Sequence, residues 1–236
     1  MNDLLAAVAL LTIAPIRREL NFSARALLYF PLVGAALAGV LVLAQSGARL
    51  LLPPFAAAAL GTALWVLATG ALHLDGASDA GDALLAETTR ERRLEILRDV
   101  HLGAFGATIL VLLLLLKFAA LADTTLTALF LAPILARWAL VYAAAFPLAR
   151  SQGMAALFAK TLTRREITGA TLLTFLLVAP FGWLGAGAWL GAVIIATLLA
   201  RLAMARLGGL TGDIYGLICE SVEVSVLFVG LALAKL

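Results

Sequence analysis

Three carboxylates, Asp75, Asp79 and Asp82, lie within eight residues directly after a long apolar segment. On an α-helix, positions i, i+4 and i+7 project from one face. Like charges at that spacing repel, so the helix would be destabilised unless a cation bound there, and carboxylate oxygens suit Mg²⁺, Mn²⁺ or Ca²⁺. The alternative is a solvated acidic cap at a membrane surface. Such caps usually include Lys or Arg, and residues 73–82 contain neither. We therefore favour a metal site.

Other candidate groups flank this acidic stretch. His73 immediately precedes it and is a candidate catalytic residue, although a lone histidine there is more often an interfacial hydrogen-bonding group than a metal ligand. Arg98 and Asp99 precede a glycine-rich bend, residues 103–106. A bend of this kind beside an Arg and an Asp is suited to bind a phosphate or a metal ion.

Charges also occur inside apolar segments, at Arg137, Glu220 and Glu223. A charge near the bilayer centre costs at least ~2.5–3.5 kcal/mol, so each should face other helices and find a partner. Arg137 and Glu223 fall at matching depth. They predict either an ion pair that only orients helices or the wall of a polar cavity with Glu220 and Asp213 near its mouth. Lys117 lies near the end of its segment, where we expect it to snorkel.

Composition defines the class of protein. Of the 236 residues, 64% are hydrophobic and 13% are charged, whereas soluble domains carry about 25% charged residues. Long segments rich in Leu and Ala indicate a polytopic all-α membrane protein, not a barrel. The single Cys219 excludes an intramolecular disulfide framework, and the start of the chain does not resemble a cleaved signal peptide. A net charge of +3, with basic residues in membrane-flanking loops, does not suggest nucleic-acid binding.

The elements that must position these groups are about seven transmembrane helices in a single domain, residues 1–236. The apolar segment Leu4–Ile16 is short for a span and predicts an interfacial or re-entrant helix. The predicted spans are 26–47, 54–73, 104–122, 124–146, 167–184, 186–204 and 214–235.

The basic residues predict the orientation of these spans. If the loop around Arg25 is cytoplasmic, thirteen of the seventeen Lys and Arg residues lie on that side, and only Arg49 and Lys235 lie on the far side. The thirteen are Arg17, Arg18, Arg25, Arg90, Arg92, Arg93, Arg98, Arg150, Lys160, Arg164, Arg165, Arg201 and Arg206. The loop 74–103 is thus predicted to be a cytoplasmic catalytic loop.

A carboxylate cluster, several arginines and a half-buried cavity together suit one class of reaction. This is Mg²⁺-dependent transfer of a substituted phosphoryl group between a polar donor and a membrane-associated acceptor. One aspartate would accept the proton of the attacking hydroxyl.

Five blocks of residues, in order along nearly the whole chain, resemble those of a known family. They are Phe30-Pro31-Leu32-Val33-Gly34; His73-Leu74-Asp75-Gly76 with Asp79 and Asp82; Arg98-Asp99 with Gly103, Phe105 and Gly106; Arg137-Trp138 with Pro147, Ala149, Arg150 and Gly153; and Gly209 to Gly216 with Glu220 and Glu223. Through these blocks the chain resembles the cobalamin synthase family, the adenosylcobinamide-GDP ribazoletransferases.

The resemblance implies a multi-pass enzyme of the bacterial inner membrane, with its active site facing the cytoplasm. Such an enzyme requires Mg²⁺ and joins adenosylcobinamide-GDP to alpha-ribazole or its 5'-phosphate, with release of GMP, late in vitamin B12 biosynthesis. Asp75, Asp79 and Asp82 would bind Mg²⁺ against the diphosphate, and Asp213 or Asp99 would complete the metal's ligands. Asp82 is our choice of base.

The resemblance also implies roles for the remaining polar groups. Arg98 and Arg150 would offset phosphate charge. Arg137, Glu220 and Glu223 would line the inner wall of the site. Whether the chain forms a homo-oligomer stays open at this point.

Two other functions fit parts of the pattern. A CDP-alcohol phosphotransferase also uses aspartates around Mg²⁺, but its signature has an Ala-Arg pair where Asp75-Gly76 is followed here by Ala77-Ser78. An ion-coupled transporter would use Arg137, Glu220 and Glu223 as a relay, although we find no inverted repeat of the spans.

Overall fold

The structure, a computed structural model, describes residues 2–16 and 18–235. Arg17, counted above among the cytoplasmic basic residues, lies outside this part. The described chain is helical and contains no β-strand, which confirms the all-α class. The α-helices are α1 Asn2–Leu11, α2 Phe30–Leu51, α3 Pro54–Thr69, α4 Leu72–Leu85, α5 Arg90–Ile96, α6 Ala104–Asp123, α7 Leu126–Ala143, α8 Met154–Thr161, α9 Arg164–Val178, α10 Gly182–Leu207 and α11 Gly212–Leu233. Short 3₁₀ helices, Ala24–Tyr29 and Ala179–Phe181, lead into α2 and α10.

The number of membrane crossings, predicted to be seven, depends on which helices are counted as separate spans. Within the described residues, five helical stretches are long and apolar enough to cross a bilayer, and a sixth results if α3 and α4 form one broken span. One of the five is the 44-residue stretch Arg164–Leu207, which contains two of the predicted spans. Its helices α9 and α10 both contact Trp138, through Thr171 and Trp189, so the chain folds back between them. By length and composition the count of seven is therefore not confirmed.

The bend between α3 and α4 ends the predicted span 54–73 early, because α3 stops at Thr69. Gly70 and Ala71 both adopt left-handed backbone conformations, with φ of 63° and 56°. L-residues rarely adopt this conformation, and it ends a helix sharply. The chain turns by 90° here, and the first part of the predicted loop is α4, whose apolar side packs against α11 and α6.

α7 forms the centre of the bundle. Nearly all its side chains are buried, as expected for a helix that is apolar on every side. It packs against α2, α9, α10 and α11, and α11 in turn packs against α4 and α6. The packing of α11 places the charged helix beside the acidic helix α4.

α1 is shorter than the predicted segment and ends at Leu11. Beyond it, Ile13 donates a backbone hydrogen bond to Ala68, at the end of α3.

Candidate active site

α4 and α11 cross at two glycines. A Cβ atom on Gly216 would lie 2.6 Å from the carbonyl oxygen of His73, and one on Gly76 would lie 3.1 Å from the Cα of Asp213. Only residues without a side chain allow this approach. The crossing therefore places Asp213, at the start of α11, beside the acidic side of α4.

The carboxylates of α4 lie on its more exposed side. Asp75 is exposed and Asp79 and Asp82 are partly buried, while the opposite side of the helix is buried in the bundle. Asp79 lies within electrostatic range of Asp75, Asp82 and Asp213. Four carboxylates from two helices thus share one region of the surface.

Asp82 is already engaged by the backbone. Its Oδ2 accepts a hydrogen bond from Gly103 N and its Oδ1 accepts one from Gly106 N, both at 2.8 Å. These amides belong to the N-terminus of α6, whose first turn of N–H groups attracts an anion. The glycine-rich bend, predicted to bind a phosphate or a metal ion, therefore binds a carboxylate of the chain itself.

Arg98 and Asp99 lie on the surface beside this bend. Both are exposed. Asp99 Oδ1 is 2.6 Å from His101 Nδ1 and also accepts a hydrogen bond from His101 N at 3.1 Å. These hydrogen bonds lower the pKa of Asp99 below its ordinary value. Asp99 thus stabilises the turn that leads to α6 and stays charged at neutral pH.

Arg150 is brought to the site by a short stretch of paired backbone. Ala149 N donates to Leu210 O and Leu210 N donates to Pro147 O, both at 2.8 Å. Arg150 Nη2 then lies 3.0 Å from Asp213 Oδ2, which also accepts a hydrogen bond from Thr211 Oγ1 at 3.0 Å. Arg150 and Asp213 remain partly exposed, so both are accessible to a ligand.

A buried charge cluster lies deeper in the bundle. Glu223 forms an ion pair with Arg137, one of the two alternatives that their matching depth left open, and accepts a hydrogen bond from Trp65 Nε1 at 3.2 Å. Lys117 Nζ lies 2.6 Å from Glu220 Oε2 and 2.6 Å from Glu223 Oε2. The two cations and two anions balance, and all four side chains are almost fully buried.

The prediction that Lys117 snorkels is therefore wrong. Lys117 points into the bundle, where its ammonium group also lies 4.5 Å from the centre of the Trp65 ring. Two carboxylates and an aromatic face stabilise the charge where it is, so it gains nothing by reaching the interface. Sequence reasoning missed Trp65 as a member of this cluster. The rule that an ionisable residue in an apolar helix needs a partner could have indicated that Lys117 is buried beside other polar groups.

His73 lies close both to the charge cluster and to Asp75 and Asp213 of the carboxylate surface. The His73 side chain is buried, and among the described residues its Nδ1 has no hydrogen-bond partner. Two nitrogens of Arg137, Nε and Nη2, are likewise buried and unpaired there. Such groups are costly to bury unless something satisfies them.

A cavity of about 250 Å³ adjoins the carboxylates, and we call it the α8 cavity. Asp75, Asp213, His73 and Tyr215 lie at its polar edge. The remaining wall is mostly apolar and comes from α1, the first 3₁₀ helix, α2, α7 and α8; it includes Leu11, Leu27, Phe30, Leu140, Phe158 and Leu162. A polar cavity was one of the two alternatives left open from the sequence, which indicated none of these apolar wall residues.

The donor set suits a hard cation only in part. The described residues hold no group of three or more His, Cys, Asp or Glu side chains already placed around a metal ion. Mg²⁺, however, often binds through one or two carboxylates with substrate phosphates and water as its other ligands. Asp75, Asp79 and Asp213 provide such oxygens, so this surface fits a metal that arrives with a phosphorylated substrate.

Comparisons with known proteins give one consistent result. The model of the family described as cobalamin-5-phosphate synthase matches residues 3–231. A Roseiflexus protein is 41% identical over 84% of this chain and 76% of its own length, and a Pseudomonas aeruginosa protein is 39% identical over 99% and 98%. A Herpetosiphon aurantiacus protein is 37% identical over 100% and 98%. All three are named adenosylcobinamide-GDP ribazoletransferase. No solved structure matches.

Proposed function

The chain belongs to the cobalamin-5-phosphate synthase family, and from this premise we propose that it is a membrane-embedded adenosylcobinamide-GDP ribazoletransferase. The proposed reaction joins adenosylcobinamide-GDP to alpha-ribazole or its 5'-phosphate and releases GMP, in the biosynthesis of vitamin B12. The relatives' shared name supports this activity, since the matches cover nearly the whole chain.

The shared location of three aspartates and one arginine assigns the proposed reaction to particular residues. Asp75 and Asp79 of α4 lie in the same region of the surface as the Asp213–Arg150 pair, and Asp75 and Asp213 also line the α8 cavity. Binding of a diphosphate requires cationic side chains and carboxylate oxygens that can hold a metal ion. The hydroxyl of the acceptor requires a group that takes its proton. This one region offers all three.

The proposed transfer is a substitution at phosphorus. A ribose hydroxyl of ribazole attacks the phosphorus that carries cobinamide, and a new P–O bond forms. The bond from that phosphorus to the bridging oxygen of the diphosphate breaks, and GMP leaves with this oxygen. Asp79, partly buried among the other carboxylates, accepts the hydroxyl proton. The sequence analysis chose Asp82, but both of its oxygens are engaged by backbone amides, so we propose a capping role for it.

The remaining roles follow from charge and position. Arg150, with Arg98 on the neighbouring surface, offsets phosphate charge. Asp75 and Asp213 would hold Mg²⁺, which would neutralise charge on the diphosphate, while the neighbouring Asp79 serves as the base. The buried cluster that contains Arg137, Glu220 and Glu223 stabilises the helices that carry the site. The excess of basic residues beside the spans supports an active site that faces the cytoplasm in a bacterial inner membrane.

The test is turnover by purified protein in lipid nanodiscs. Adenosylcobinamide-GDP and alpha-ribazole 5'-phosphate are supplied with Mg²⁺ or with EDTA, and GMP and the cobalamin product are quantified. We expect equal amounts of both with Mg²⁺ and neither with EDTA. Turnover that persists in EDTA would remove the metal from the proposal. No product from folded protein would contradict the transferase and favour the transporter alternative, which substrate flux into liposomes would then examine.

A further inference from the structure

The α8 cavity differs chemically from the surface beside it. Phe30 and Phe158 form one wall, with their ring centres 6.3 Å apart and their planes at 89°. Leu11 and Leu27 continue this apolar lining, and charged groups lie only at the edge beside α4 and α11. A ligand that fits must therefore bring an apolar body and a polar end.

The size and polarity of the cavity indicate which chemical group of the two proposed substrates it can hold. Ligand pockets usually measure about 300–1,000 Å³, and this cavity, at about 250 Å³, accommodates a single bicyclic group. The corrin macrocycle is several times larger. Guanine is small enough, but its edge carries several hydrogen-bonding groups, which an apolar wall would leave unsatisfied. The dimethylbenzimidazole base of ribazole is bicyclic, carries two methyl groups and has one free ring nitrogen.

We propose that the α8 cavity binds the alkyl-substituted aromatic base of the acceptor nucleoside, an inference that rests on the proposed function. The two methyl groups lie among the leucines and phenylalanines, and the ribose points to the polar edge. Asp75 and Asp213 line both the cavity and the carboxylate surface. A base held here therefore brings its ribose hydroxyl toward the proposed site of phosphoryl transfer. The donor, with its corrin and guanosine groups, binds outside the cavity.

His73 supplies a second observation for a ligand in this place. It lines the cavity, and its buried Nδ1 has no partner among the described residues. If the His73 ring turns this nitrogen toward the cavity, the free ring nitrogen of the base, or a ribose hydroxyl, would satisfy it. Binding would thus offset a cost that the protein bears without its ligand.

The experiment reduces the cavity from α8 without altering the carboxylates. Ala155 lines the cavity, and Ala155→Leu adds apolar volume there. Leu157, on the same helix, is 46% exposed and outside the lining, so Leu157→Phe is the matched control. KM is measured for each substrate, and binding of alpha-ribazole alone is measured by calorimetry. We expect Ala155→Leu to raise the KM for ribazole and its dissociation constant at least tenfold, with the KM for adenosylcobinamide-GDP within twofold. Leu157→Phe should change neither.

A second variant guards against simple misfolding. Phe158→Ala enlarges the cavity, so it should accept a nucleoside of a larger tricyclic base in preference to ribazole, a reversal that damage to the fold would not produce. Unchanged ribazole binding in Ala155→Leu, or a rise only in the KM for adenosylcobinamide-GDP, would overturn the assignment while leaving the transferase activity intact. Another outcome would assign the cavity to lipid. In that outcome a lipid co-purifies with the protein, and its removal leaves the KM for ribazole unchanged in every variant. Absence of turnover in the parent protein would refute the proposed function itself.

Discussion

Asp82 Oδ1 accepts a 2.8 Å hydrogen bond from the backbone N–H of Gly106, in the first turn of α6. Its other oxygen accepts from Gly103 N. The carboxylate therefore joins the acidic helix α4 to the start of α6 and satisfies two amides that have no partner within their own helix. This relationship distinguishes Asp82 from the aspartates one and two turns earlier on α4.

We predict that Asp82→Asn impairs stability more than metal binding. An amide has one acceptor oxygen, so one of the two backbone hydrogen bonds is lost, and the loss of a helix cap costs about 0.5–2 kcal/mol. Thermal unfolding in detergent should show this loss, while the Mg²⁺ concentration for half-maximal turnover stays within twofold. Asp75→Asn is the comparison, since Asp75 is exposed, and it should raise that concentration about tenfold or more with little change in stability. The opposite result in the two variants would restore Asp82 as a metal ligand.

A second prediction compares the two glutamates of the buried cluster. Glu223 accepts from Lys117, Arg137 and Trp65, whereas Glu220 accepts from Lys117 alone. Removing one member of a buried ion pair costs about 3–5 kcal/mol, since the partner charge stays buried. Glu223→Gln should therefore lower the unfolding temperature clearly more than Glu220→Gln does.

The buried cluster also allows a double-mutant cycle. Lys117→Met combined with Glu220→Gln removes one cation and one anion together, so it should cost less than the sum of the two single variants. The measurement is thermal unfolding of all four proteins in the same detergent. Additive losses would mean that the Lys117–Glu220 contact contributes little to stability.

Arg150 gives a prediction about substrate binding. Its ion pair with Asp213 is partly exposed, so the pair itself contributes no more than about 1 kcal/mol to stability. A hydrogen bond to a charged phosphate contributes about 1.5–3 kcal/mol, which corresponds to a ten- to hundredfold loss of kcat/KM for adenosylcobinamide-GDP in Arg150→Ala. Arg92, in a surface pair with Glu95, is the matched control, and Arg92→Ala should leave kcat/KM unchanged. An equal loss in both variants would contradict a specific role for Arg150.

The sequence predicted those features that depend on local spacing or on membrane energetics. The helix that carries Asp75, Asp79 and Asp82 follows from their spacing, and the pairing of Arg137 with Glu223 follows from the cost of an isolated charge in lipid. Both predictions use only the positions of residues within their own helices. The all-α membrane architecture follows in the same way from segment length and composition.

The features that the sequence did not predict depend on how helices approach each other. Lys117 was placed by its position along its own helix, whereas its partners lie on α11. The amides that occupy Asp82 come from residues more than twenty positions later in the chain. The left-handed Ala71 gave no signal, because alanine normally continues a helix. Long-range contacts and an unusual turn therefore set the limit of local reasoning.

The last prediction concerns the crossing of α4 and α11. In Gly216→Ala the three atoms nearest to the new methyl group would all be backbone atoms, namely the carbonyl oxygen of His73, the Cα of Gly76 at 3.1 Å and the backbone nitrogen of Ala77 at 3.2 Å. Backbone within a packed helix cannot rotate away as a side chain can, so the two helices must separate, at a cost of about 1–3 kcal/mol. The separation moves Asp213 away from Asp75 and Asp79, and turnover should fall with stability.

Gly47→Ala in α2 is the control for this variant, because within the described chain no heavy atom outside the adjoining backbone of α2 lies within 4 Å of the added carbon. Alanine is the better helix former by about 1 kcal/mol, so this variant should be as stable as the parent protein or more stable, with full turnover. Both variants are measured by thermal unfolding and by GMP release. If Gly216→Ala matched Gly47→Ala in both measurements, the close crossing would not be what holds the carboxylates together, and the site would have to be positioned by the Arg150–Asp213 contact instead.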